Sequence, residues 1–117
     1  MIWTLFQVAL GGAIGSVLRY LMVSAVAAPL GTAIVNIIGS FIMGVLFILL
    51  SGRAPLSLLL MTGVLGGFTT FSAFSLDAFR LWQTGQTIQA CLYGAASVLF
   101  SLIAVALGAA LARGALV

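Results

Sequence analysis

The sequence has no lysine, no glutamate and no histidine. Its charge rests on four basic residues, Arg19, Arg53, Arg80 and Arg113, and on one acid, Asp77. Charged residues make up 4% of the 117 residues, whereas a soluble domain carries about a quarter. No water-facing surface can be assembled from so few. The same absences exclude chemistry. With no histidine and a single cysteine, Cys91, there is no zinc, haem or iron–sulfur site of ordinary ligation. One carboxylate supplies no acid–base pair, and a serine nucleophile would lack a histidine or lysine base. We therefore expect no enzyme. Cys91 alone can form no internal disulfide, so the redox compartment is not legible. The isoelectric point of about 10.0 comes from scattered arginines and not from a basic patch, so nucleic acid is not an expected partner.

What the chain has is apolar length. Hydrophobic residues are 64% of it, in four stretches: Ile2–Ala27, Gly31–Leu50, Leu56–Trp82 and Ile88–Leu111. The breaks are Ala28–Pro29–Leu30, Ser51–Gly52–Arg53–Ala54–Pro55 and Gln83–Thr84–Gly85–Gln86–Thr87. At about 20 residues per crossing, these fill the chain with four transmembrane helices in one all-α domain. The first stretch is a poor signal peptide, because it lacks a basic start and holds Arg19 inside its apolar run.

Four crossings put both termini on one side, together with Arg53 and Arg113. Arg80 falls on the other side, with Arg19 in the far half of the first span. Orientation in a membrane follows an excess of Lys and Arg in cytoplasmic loops. A two-and-two split supplies no excess. Both a single orientation and insertion both ways with antiparallel pairing stay open at this point.

Small residues recur four apart at Gly11/Gly15, Gly12/Ser16, Ser40/Gly44 and Gly63/Gly67. Such pairs let helix backbones approach closely in lipid and say nothing of substrate. The polar residues say more. Thr32, Asn36 and Ser40 are four apart on the second span, and Tyr93, Ser97 and Ser101 are four apart on the fourth. Each set shares one helix face. They could serve interhelical hydrogen bonding alone, but the Asn36 amide is costly to bury unpaired. Two matched stripes suggest a polar path through the membrane. Every side chain in them can donate a hydrogen bond and none is acidic, which favours an anion over a cation.

Arg19 either snorkels to the interface or faces a cavity. Asp77 and Arg80, three apart, are expected to pair locally. The third stretch is longer than one crossing needs. Its Gly66–Gly67 pair and Thr69–Thr70 pair are poor helix formers, so a break is expected there. A break in lipid frees backbone groups that must be met inside the protein or by an ion. Phe68, Phe71 and Phe74 follow at three-residue spacing, and the edge of an aromatic ring is the positive part of its quadrupole.

Three motifs, in order, resemble one family. Gly66-Gly67-Phe68-Thr69-Thr70-Phe71-Ser72-Ala73-Phe74 resembles the third-helix signature of the Fluc (CrcB) fluoride channels. Gly11-Gly12-Ala13-Ile14-Gly15-Ser16-Val17-Leu18-Arg19-Tyr20 is similar to the family's first-helix motif, and Gly31-Thr32-Ala33-Ile34-Val35-Asn36-Ile37-Ile38-Gly39 to its second. One departure is Ala73, where many members carry a small hydroxyl residue. The resemblance implies a dual-topology antiparallel homodimer in the bacterial inner membrane, with two fluoride pores. It puts the pore phenylalanines at Phe71 and Phe74, the pore asparagine at Asn36 and the preceding threonine at Thr32. It puts the fourth-helix polar track at Tyr93, Ser97 and Ser101, and the vestibule arginine at Arg19. It implies a structural sodium ion at the dimer centre, held by the backbone carbonyls of Gly66 and Thr69. The role so implied is passive export of cytoplasmic fluoride down its gradient. No nucleotide-binding G-x-x-x-x-G-K-[ST] motif is present to couple energy. Two other classes fit the size: a dual-topology drug/proton antiporter, which would need an intramembrane carboxylate, and a membrane scaffold without transport.

Overall fold

The structure is a computed structural model that describes all 117 residues. It is helical throughout, with four helices long and apolar enough to cross a membrane. Helix α1 is Ile2–Ala25 and α2 is Leu30–Leu49. The third crossing, Ala54–Gln83, is two rods. The first rod, α3, runs through residues 54–68, and the second, α4, is Phe71–Gln83. Helix α5 is Thr87–Ala115. The principal extents are 47 × 35 × 23 Å, so the long axis exceeds the roughly 30 Å of a hydrocarbon core.

The ends fall where local chemistry puts them. Val26 turns extended and stops α1 ahead of Pro29, two residues short of the expected end. Helix α3 begins at Ala54, because Pro55 sits in its first turn, where no amide donor is needed. Helix α5 runs on to Ala115, through an alanine-rich segment of high helix propensity. Gly52 and Gly85 take positive φ, +81° and +80°, in the tight turns before α3 and α5.

The break in the third crossing is displaced from the glycines. Gly66 and Gly67 stay helical, and Thr69 and Thr70 are extended. Gly67 is held in the helix by packing, because its missing side chain lets it lie against the Gly12 carbonyl of α1. Ahead of it, Leu58–Leu65 is wound as a π-helix, a wider turn that is rare at this length.

Two close helix pairs organise the bundle. In the first, Gly11 and Gly15 of α1 lie directly against the backbone of Leu59, Gly63 and Val64 of α3. In the second, Gly44 of α2 meets Val105 and Ala109 of α5, while Gly108 of α5 meets Phe41 of α2. Each pair joins alternate crossings, so its members run in the same direction. Without glycine at these points the backbones could not come this near. The parallel register of α2 and α5 sets their polar stripes side by side. Large apolar side chains such as Leu5, Phe47 and Leu99 point outward, as they would toward lipid.

Candidate functional site

The site grows from the break. Asn36 of α2 clamps Thr70 from both sides: its Nδ2 donates to the Thr70 carbonyl at 3.0 Å, and its Oδ1 accepts from the Thr70 amide at 2.7 Å. The Thr70 hydroxyl then caps α4 by accepting from the Ala73 amide at 3.1 Å. On the other side of the break, the Thr69 hydroxyl donates back to the Leu65 carbonyl at 2.9 Å. Thr70 was not among the expected site residues. Its signal was a threonine directly ahead of an amphipathic helix, the usual mark of an N-cap.

A cavity of about 430 Å³ opens between this break, α2 and α5. Asn36, Ser40, Thr69, Phe71, Phe74, Ser97 and Ser101 all line it. None of its lining residues is charged, and its apolar walls include Met43, Val98, Leu102 and Val105. Two residues of each stripe, Asn36 and Ser40 on α2 and Ser97 and Ser101 on α5, thus face one space. Phe71 and Phe74 lie three apart on the first turns of α4, with ring centroids 5.5 Å apart and planes tilted by 52°. Phe74 in turn packs on Tyr93, centroid to centroid 5.3 Å. Phe71 is 76% exposed on the single chain.

One polar atom has no partner. Ser97 is 5% exposed and its hydroxyl makes no hydrogen bond. Leaving a buried hydroxyl unpaired costs about 1–3 kcal/mol.

Four expected residues lie outside the cavity lining. Thr32 is buried at 2% exposed, one turn before Asn36 on the same helix face. Tyr93 touches the site through Phe74, Arg19 is half-buried on α1, and Gly66 is exposed on the surface of α3. Asp77 corrects one expectation: it turns to Tyr93 instead of Arg80. It sits mid-way along α4, is 6% exposed, and accepts from the Tyr93 hydroxyl at 3.4 Å. Its position on α4 puts its carboxylate toward α5, while Arg80 faces outward.

The break also has a backbone consequence. In an unbroken helix, the Gly66 carbonyl would accept from the Thr70 amide and the Thr69 carbonyl from the Ala73 amide. Here those amides go to Asn36 Oδ1 and Thr70 Oγ1. A side chain added at Gly66 would meet only the Met61 carbonyl, at 3.8 Å. Neutral carbonyl oxygens stripped of their donors suit a hard cation, and this donor set fits an alkali ion.

A bundle of four apolar helices, with an uncharged cavity between α2, the break and α5, defines a small multi-pass membrane protein. Comparison with known proteins places it further. The family model described as CrcB-like protein, Camphor Resistance (CrcB), matches residues 6–109. A protein of Cereibacter sphaeroides named fluoride-specific ion channel FluC is 50% identical over 124 aligned residues, covering 97% of this chain and 98% of the relative. One from Rhizobium etli with the same name is 51% identical over 118, covering 92% and 94%. Another, from Paracoccus denitrificans, is 49% identical over 119, covering 95% of each. The chain belongs to the CrcB family.

Proposed function

We propose that the chain is a fluoride-selective channel that lets cytoplasmic fluoride leave the cell passively, and that it works as an antiparallel dual-topology homodimer in the bacterial inner membrane. The observation that carries the channel reading is the convergence of Asn36, Ser97, Ser101, Phe71 and Phe74 on one cavity with no charged wall. Relatives covering nearly the whole chain are named fluoride-specific channels, which supports the choice of anion.

The mechanism follows from donors. A fluoride ion entering the cavity sheds tightly held water, and the wall must replace it. Ser97 and Ser101 offer hydroxyl donors along α5. Asn36 spends one Nδ2 hydrogen on Thr70 and keeps the other for the cavity it lines. Phe71 and Phe74 present ring edges of weak positive potential. No group carries a full charge, so the ion is held without being trapped, as conduction requires. Thr32 extends the polar track toward one mouth, beside Tyr93, whose one hydroxyl hydrogen goes to Asp77, and Arg19 raises anion concentration at a vestibule.

The Gly66 and Thr69 carbonyls of two subunits would hold a structural sodium ion on the dimer axis. When bound, the ion supplies positive charge that draws the two breaks together. Insertion both ways fits the even split of Arg19 and Arg80 against Arg53 and Arg113.

Electrical efflux from proteoliposomes, run with fluoride and with chloride, tests the reading. Rapid fluoride efflux with chloride excluded is expected. Equal passage of both ions, or of neither, sinks it.

A further inference from the structure

We infer that Asn36 and the Thr70 hydroxyl are positioning residues for the cation site, which open it by taking away the amide donors of its two carbonyls. The inference rests on the proposed reading of the Gly66 and Thr69 carbonyls as cation ligands.

The geometry gives each ligand its own thief. Gly66 and Thr69 are the two positions whose helical donors are captured by side chains: Thr70 N–H by Asn36 Oδ1 at 2.7 Å, and Ala73 N–H by Thr70 Oγ1 at 3.1 Å. Both captures happen in one place, because Thr70 is at once the residue Asn36 clamps and the cap of α4. Thr70 is 9% exposed, so water does not compete for these bonds. In a membrane interior a backbone amide must be paired, and its default partner is the carbonyl four residues back. Remove Asn36 Oδ1, and the Thr70 amide regains the Gly66 carbonyl. Remove the Thr70 hydroxyl, and the Ala73 amide turns to the Thr69 carbonyl. In either case an oxygen is lost to the ion without any change in the residue that bears it.

This gives Asn36 a second task. It lines the cavity and also shapes the break, so one amide joins the anion path to the cation site. The competing account is that Thr69 and Thr70 break the helix by low propensity alone, with Asn36 merely resting on the result. Under that account the carbonyls stay open whatever stands at position 36.

The test uses the full-length purified dimer without fluoride, and reads thermal unfolding in sodium chloride against choline chloride. The wild-type chain is expected to unfold at a higher temperature in sodium. Asn36→Leu and Thr70→Val should lose more than half of that rise. Thr70→Val keeps the shape of threonine, so it reports on the hydroxyl even if Asn36→Leu does not fold. Thr70→Ser restores the hydroxyl and should restore the rise. A full sodium-dependent rise in Thr70→Val, with or without the same in Asn36→Leu, overturns the positioning role alone. No rise in the wild-type chain overturns the cation reading and this inference with it.

Discussion

The Tyr93 hydroxyl donates to Oδ2 of Asp77 at 3.4 Å, joining α5 to the middle of α4. This is the one acid of the chain, and it is 6% exposed. Tyr93 also packs its ring on Phe74, the planes tilted by 44°, so the same side chain braces Phe74 and partners a buried carboxylate. Tyr93→Phe keeps the ring and removes the donor. It should lower stability by about 1–3 kcal/mol, the usual cost of orphaning a buried polar group. Unfolding temperature measured beside fluoride flux checks it, and an unchanged melting profile would leave the contact without weight.

Ser97→Ala should behave in the opposite way. Its hydroxyl is buried and unpaired, so removing it deletes a cost and not a bond. Stability should hold or rise, by up to about 1 kcal/mol. Fluoride flux should nevertheless fall, because a donor leaves the wall. A destabilised variant with normal flux would mean that the hydroxyl serves packing.

Phe71→Ile and Phe74→Ile separate ring edges from bulk. Isoleucine fills similar space but has no positive edge. Each variant is expected to form a folded dimer with fluoride flux at least about tenfold lower, or roughly 1.4 kcal/mol of added barrier. Flux and dimer stability are read on the same preparations. Wild-type flux in both would remove the rings from the selectivity account.

Gly44→Val tests the seam between α2 and α5. The added Cβ would press on the Val105 carbonyl and lie 2.9 Å from the Ala109 amide, so the helices must part. Overpacking of this kind costs typically 1–3 kcal/mol. Because the seam sets the two polar stripes in register, flux should fall together with stability. Normal thermal behaviour would show that the seam has slack.

Insertion both ways is tested by charge. Two or three lysines added beside Arg53 should force one orientation and silence the single variant. A co-expressed variant biased the other way should restore efflux. Normal efflux from the single biased variant would rule out antiparallel pairing.

The span count and the shared face of the two stripes were legible because each depends on local periodicity. Apolar length set the crossings, and four-residue spacing set Asn36, Ser40, Ser97 and Ser101 on faces that the parallel packing of α2 and α5 then joined. The break falls within the expected Gly66–Thr70 stretch, at its threonines, although propensity ranks Gly66–Gly67 as the weakest point. Packing overrides that rank: Gly67 against α1 keeps the glycines helical, while Asn36, 34 residues away, captures the amide of Thr70. Asp77 was read as a partner of Arg80 from spacing alone. Its partner is 16 residues on in another helix, and no local pattern encodes that contact. The roles proposed for Phe71, Phe74 and the Gly66 and Thr69 carbonyls rest on family motifs, since nothing in composition marks a phenylalanine as part of a pore.

Phe71, lining the cavity and yet 76% exposed, bears on how activity should scale. In the antiparallel reading a lone chain has an unfinished wall, open to acyl chains along that ring. Transport is then a property of pairs, and its dependence on protein density in the bilayer follows mass action. At high dilution in lipid, flux per chain should fall off as dimers separate, and at low expression a cell would lose protection more steeply than it loses protein. Linking two copies so that they insert head to tail would straighten that curve.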